Sequence, residues 1–115
     1  MPKRNYLETQ LQMACFRWFA FEYPKQKGCL FMVNNESRSA YEMAKLKKMG
    51  IVPGVSDLVY LAPTGRFVGI ELKYGAGRQS KTQKVWQENI EKHNGHYHVI
   101  NDMKDFIQLI RNYNK

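Results

Sequence analysis

Acidic residues are scarce in this chain of 115, with ten Asp and Glu against eighteen Lys and Arg and a formal charge of +8. The surplus points to a polyanionic partner, although lysines and arginines also serve solubility. Cysteine is scarcer still. Cys15 and Cys29 form no C-x-x-C pair and cannot build a disulfide framework, so both are expected as reduced core thiols. No apolar run approaches the ~18 residues of a membrane span, and the opening Met1-Pro-Lys-Arg4 lacks a secretory pattern, so a cytoplasmic protein without a membrane partner is expected. The loop Tyr74-Gly-Ala-Gly-Arg-Gln79 lacks the spacing of a phosphate-binding P-loop, which argues against a nucleotide cofactor. His93, His96 and His98 match no zinc spacing. No internal repeat or low-complexity segment is present.

What remains is 43% hydrophobic and 13% aromatic, enough for one core, so residues 1–115 read as a single domain. Leu7, Leu11, Ala14, Cys15, Trp18 and Phe19 recur at helical spacing and predict a helix over 6–23, closed by Pro24. Phe16, Phe19, Phe21 and Tyr23 exceed what one face of that helix buries; they either fill the core or form a dimer interface. An apolar strand follows at 29–33. The polar turn Asn34-Asn-Glu-Ser37 offers a cap to a helix over 39–49, with Ala40, Met43, Ala44 and Leu46 toward the core and Gly50 as its stop. Further on, Ser80 and Gln83 form a capping box for a helix through residue 94, with Trp86 in the core. Residues 96–100 read as a strand. Asp102 begins a last helix with Phe106, Ile107, Leu109 and Ile110 as its apolar face, and 112–115 are expected to fray. The fold class is α/β, a small mixed β-sheet flanked by helices in the order α-β-α-β-β-α-β-α.

The stretch the rest serves lies between the second and third of these helices. Asp57-Leu-Val-Tyr-Leu61, the turn Ala62-Pro-Thr-Gly65, and Phe67-Val-Gly-Ile-Glu-Leu-Lys73 read as a β-hairpin. A three-residue loop with Gly65 in the left-handed position pairs Ala62 with Arg66, and the antiparallel register then sets Asp57 directly opposite Glu71. Alternation puts Lys73 on the same face. Like charges facing each other on a sheet are destabilising, and a divalent cation with hard oxygen ligands, Mg²⁺ or Mn²⁺, compensates them. The same residues also suit an exposed ion pair on an edge strand, with Asp57 a turn residue. Glu8, one turn before Leu11 and Gln12, is either a further acidic ligand or a residue stabilising the helix dipole. Between residues 25 and 84 there are eleven basic side chains and four acidic ones, Asp57 and Glu71 among the four. Of the basic ones, Arg38, Lys45, Lys47, Lys48, Arg78 and Lys81 are candidates for gripping a phosphate backbone.

Taken together these segments resemble a stand-alone VRR-NUC domain, a branch of the PD-(D/E)XK nuclease superfamily with a restriction-endonuclease-like core. The likeness rests on Glu8-Thr-Gln10, Asn34-Asn35, the run from Ala44 to Gly50, Pro53-Gly-Val-Ser-Asp-Leu58, Gly69-Ile-Glu-Leu-Lys73, Ser80-Lys-Thr-Gln83, Trp86, and Gly95 to Ile100. Where the family usually has a proline before the aspartate, Ser56 stands here. The resemblance implies that Asp57 and Glu71 ligate the metal with the main-chain carbonyl of Leu72, and that Glu8 joins them directly or through a water. It further implies that Lys73 orients the attacking water and that Gln83 supports the site. Small phage-type members resemble Holliday-junction resolvases and act as homodimers, which implies a bacterial or phage-encoded DNA endonuclease of recombination or repair. Its expected substrate is a four-way junction, with a flap- or nick-directed nuclease, a nuclease acting on RNA or nucleotides, or a non-catalytic DNA-binding protein as alternatives.

Overall fold

The computed structural model describes residues 6–33, 39–75 and 77–115. In chain order the elements are α1 (Tyr6–Glu22), a 3₁₀ turn (Pro24–Gln26), β1 (Leu30–Met32), α2 (Ala40–Lys48), β2 (Leu58–Leu61), β3 (Phe67–Leu72), α3 (Lys81–Lys92), β4 (His96–Ile100) and α4 (Met103–Tyr113). The expected polar turn at 34–37, and Arg38, lie outside the described residues. Among the described residues no helix is long and apolar enough to cross a membrane.

Turn chemistry sets the sheet. Gly65 adopts φ +83° and its N–H donates to Ala62 O at 2.8 Å while Ala62 N donates to Arg66 O at 3.0 Å, the geometry of a three-residue hairpin loop. The register follows, with Leu58 opposite Ile70 and Leu61 opposite Phe67. β1 pairs antiparallel with the far side of β2. β4 joins β3 in parallel, a pairing that requires a crossover, here supplied by α3. The result is a mixed four-stranded sheet in the order β1-β2-β3-β4.

Alternation sorts the two faces. One carries Leu30, Leu58, Tyr60, Val68, Ile70, Leu72 and Ile100, which join Leu11, Cys15 and Phe19 of α1 and Phe106 and Ile110 of α4 in the core. Burial pushes the Cys15 thiol up to about 12, so it stays neutral. The opposite face carries Gly69, Glu71 and Tyr97 and lies under α3, whose Ile90 is buried.

Several expectations are corrected. α2 buries no residue: Ala40 and Ala44 are exposed, and Met43 and Leu46 only half-buried. A helical period reveals an apolar stripe but not whether anything covers it. Trp86 is likewise half-buried, edge-on to Phe67, and Cys29 is half-buried. Of the surplus aromatics on α1, Phe19 is buried and Phe16 and Tyr23 pack on the core, leaving Phe21 exposed. The C-terminal turn does not fray. Asn114 Nδ2 donates to Ile110 O at 2.8 Å and Tyr60 Oη at 3.0 Å, and Gln26 Nε2 donates to Asn114 Oδ1 at 2.6 Å. Polar anchors of this kind leave no mark in a hydrophobic pattern.

Candidate active site

Asp57 immediately precedes β2, and the hairpin register continued by one residue sets it across from Glu71. Its backbone is tied to the neighbouring strand by Val33 N donating to Asp57 O at 2.9 Å, and its Oδ2 accepts from Leu72 N at 2.8 Å. The side chain is thereby folded against β3. Glu71 is 1% exposed and its carboxyl is in hydrogen-bonding contact with that of Asp57. Burial above all, and then the hydrogen bond and charge of Asp57, push the Glu71 carboxyl up to about 9, against a smaller opposing pull from the Lys73 ammonium. A carboxyl so placed keeps its proton at neutral pH and shares it with Asp57, unless a cation displaces that proton.

The end of β3 is held from both sides. Lys73 N donates to Ile100 O at 3.0 Å, and Asn101 Nδ2 donates to Lys73 O at 3.0 Å and Gly75 O at 3.2 Å. The Lys73 stem runs beside Gly77, where an added Cβ would stand 3.4 Å from Cδ. Glu8, in the first turn of α1, accepts from Tyr74 N at 3.3 Å. Thus the structure brings Asp57, Glu71, Lys73 and Glu8 to one end of the β2–β3 hairpin, although the four come from three separate segments.

Gln83 is placed differently. Its Oε1 accepts from Ser80 N at 2.8 Å while its own N–H donates to Ser80 Oγ at 3.3 Å, the two halves of a capping box. The capped turn in turn abuts the loop before Asp57. Gly54 has φ +81°, and a Cβ there would lie 2.5 Å from the Thr82 carbonyl carbon, so only glycine allows the loop to pass. In the next residues Ser56 is fully buried and its Oγ accepts from Trp86 Nε1 at 3.3 Å, a bond that a proline at 56 could not make.

Three polar residues escaped sequence reasoning. Tyr97 Oη donates to Glu71 Oε1 at 3.4 Å, Gln79 hydrogen-bonds Tyr97, and Gln79 Nε2 donates to Gln87 Oε1 at 2.9 Å. Burial raises the Tyr97 phenol's pKa, so it stays a donor. Only the strand order, with β4 beside β3, reveals this chain of contacts. By contrast His96 and His98 both meet the Tyr113 hydroxyl, on the core face and away from the acidic pair.

The candidate phosphate-gripping residues are all exposed where described. Arg78 and Lys81 belong to the segment leading from the Lys73–Gly77 contact into α3, while Lys45, Lys47 and Lys48 form the last turn of α2.

Donor chemistry decides which cation suits the pair. Among the described residues no three His, Cys, Asp or Glu side chains converge, which disfavours a site caged entirely by protein ligands. Two carboxylates and the Leu72 carbonyl are hard oxygens, and Mg²⁺ or Mn²⁺ takes such a set, completing its shell with water. The residues present fit an ion of that class.

Comparison with known proteins adds the following. A family model described as the VRR-NUC domain matches residues 8–103. A solved structure described as a VRR_NUC domain protein superposes with a TM-score of 0.76 at 23% identity, covering 96% of this chain and 90% of that one. Another, described as a VRR_NUC domain, gives a TM-score of 0.61 at 20% identity and covers 92% of this chain and 96% of that one. At such identities the likeness is one of fold. No curated protein matches the chain.

Proposed function

The chain belongs to the VRR-NUC domain family, a family of nucleases, and from that premise we propose that residues 1–115 form one divalent-metal-dependent, structure-specific DNA endonuclease domain, acting as a homodimer on four-way junctions. The observation that carries the reading is the buried Glu71 carboxyl held against that of the half-buried Asp57, with Lys73 beside it. Folding gains nothing from a buried carboxyl held against a second one, whereas a metal site does.

In this reading Asp57, Glu71 and the Leu72 carbonyl hold Mg²⁺ or Mn²⁺, with Glu8 joining through water. The ion, when bound, polarises the scissile phosphate and acidifies a water. Lys73 orients the attacking water and balances the charge growing on the phosphate oxygens. The water oxygen bonds to phosphorus in line as the bond to O3′ breaks; one proton leaves the water and one is taken up by O3′. A 5′-phosphate and a 3′-hydroxyl result. Tyr97 holds the Glu71 carboxyl in place by its hydrogen bond. Gln83 supports the site through the cap it closes, which keeps α3 against the Gly54 loop leading to Asp57. Lys45, Lys47, Lys48, Arg38, Arg78 and Lys81 grip flanking phosphates, and no nucleotide cofactor takes part.

Incubation with labelled four-way, flap, nicked, single-stranded and duplex DNA in Mg²⁺ or Mn²⁺ tests this directly. Symmetric paired nicks confined to the four-way substrate are expected. Cutting of flaps alone rejects the junction assignment, and inertness toward every form rejects the nuclease.

A further inference from the structure

A cavity of about 530 Å³ opens between the hairpin loop and the last turns of α3, at the opposite end of β3 from Glu71. Its walls combine the rings of Phe67 and Trp86 and the aliphatic Ile90 with the polar groups of Arg66, Asn89 and His93. Phe67 and Trp86 meet edge to face, with centroids 6.1 Å apart and planes at 80°, and so form a corner against which a flat ring can stack. The corner is held in place. Trp86 Nε1 donates to Ser56 Oγ at 3.3 Å, Arg66 Nη1 donates to Asn94 O, and His93 Nδ1 donates to Asn89 O at 2.8 Å. That last bond leaves Nε2 of the neutral imidazole as an acceptor. No acidic side chain among the described residues lines the cavity, so its charge suits a ligand that carries an anion.

Phe67 alternates onto the same face of β3 as Gly69 and Glu71, the face under α3, as the contact of its ring with Trp86 shows. Four strand residues at ~3.3 Å put Phe67 about 13 Å from Glu71. That is the length of about four stacked nucleotides at ~3.4 Å each. We propose that this cavity receives one unpaired base of the bound DNA strand, a few nucleotides from the scissile phosphate. The base stacks on Trp86 and Phe67, its polar edge meets Asn89 and His93, and Arg66 pairs with its phosphate. The inference rests on the DNA-directed reading above. Such a seat favours DNA whose pairing is interrupted, because a base already unpaired costs less to draw out of the stack.

Two lesions that break the same base pair separate a seated base from mere flexibility of the DNA. An abasic residue on one strand leaves the opposite base unpaired; an abasic residue in that base's own place leaves nothing to seat. Each is stepped outward from the branch point of a labelled four-way junction, and affinity is read by fluorescence anisotropy in EDTA. At one step the unpaired base should bind wild type about tenfold tighter than its abasic counterpart, the size of one stacking contact. Trp86→Leu should abolish that difference, whereas Trp86→Phe, which keeps a ring but not the bond to Ser56, should retain most of it. Asn89→Ala, at an exposed position, should narrow it and serves if Trp86→Leu does not fold. Equal affinity for the two lesions at every step, or a difference that Trp86→Leu or Asn89→Ala leaves unchanged, overturns the proposal. So does a wild-type dimer that Trp86→Leu makes monomeric, since the cavity would then hold a second copy of the chain. Wild type that binds none of these DNAs rejects the DNA-directed reading as a whole, a result distinct from equal affinities.

Discussion

Glu71 sits 1% exposed with its carboxyl against that of Asp57, and its raised pKa fixes how stability must vary with pH. The folded state holds this proton up to about 9, whereas the unfolded chain releases it near the ordinary value of 4.5. Below that value both states are protonated and the group is neutral for stability. Above it the folded state binds more protons, so metal-free stability declines as pH rises from 4.5 toward 9. Glu71→Gln imitates the protonated carboxyl without needing the proton. It should raise metal-free stability at pH 7 by up to about 3 kcal/mol, since each pH unit of retained protonation costs ~1.4 kcal/mol. Urea denaturation across pH 5–9 checks this: the gain should grow with pH, and a gain that is absent or independent of pH contradicts the assignment. Lys73, whose ammonium pulls the Glu71 pKa the other way, completes the local balance.

At the scale of elements, the site depends on α3 being clamped against the loop before β2. Gly54→Ala would drive a Cβ to 2.5 Å from the Thr82 carbonyl carbon at a positive φ. The left-handed penalty of ~1–2 kcal/mol and an overpacking cost of ~1–3 kcal/mol predict a loss of about 2–5 kcal/mol in urea denaturation. An alanine variant of wild-type stability would show that the loop has another way past the helix. The hairpin that presents Asp57 to Glu71 was legible in advance because Gly65 and the two-residue strand period leave one register open. Ser80 and Gln83 were legible as a cap for the same kind of reason, since the bond is made within one turn. Tyr97, Gln79 and Asn101 were not, because their partners depend on β4 lying parallel beside β3. For α2 the periodicity was visible but its covering was not, and the anchored turn at Asn114 depends on Tyr60 and Gln26, remote in sequence.

For the whole molecule, a charge of +8 surrounds a centre whose own side chains are acidic, which suits a polyanion drawn in by the surface and met by a cation at the centre. DNA affinity should accordingly fall steeply with salt. Replacing Lys45, Lys47 and Lys48 together by Ala should weaken binding at low salt and flatten the log–log salt dependence by roughly 1–3, about 0.9 for each phosphate that the variant leaves unneutralised. Fluorescence anisotropy with a labelled junction measures both quantities, and an unchanged slope would remove α2 from the interface. On the proposed reading, the same contrast of sign accounts for a buried Glu71 carboxyl held against Asp57 at a cost to metal-free stability. The most direct test is therefore DNA cleavage by wild type and Glu71→Gln side by side, in Mg²⁺ and in EDTA. Wild type should cut only with metal, and the more stable variant should bind DNA normally yet not cut. Cleavage by Glu71→Gln at the wild-type rate, or by wild type in EDTA, would contradict a metal centre at this pair.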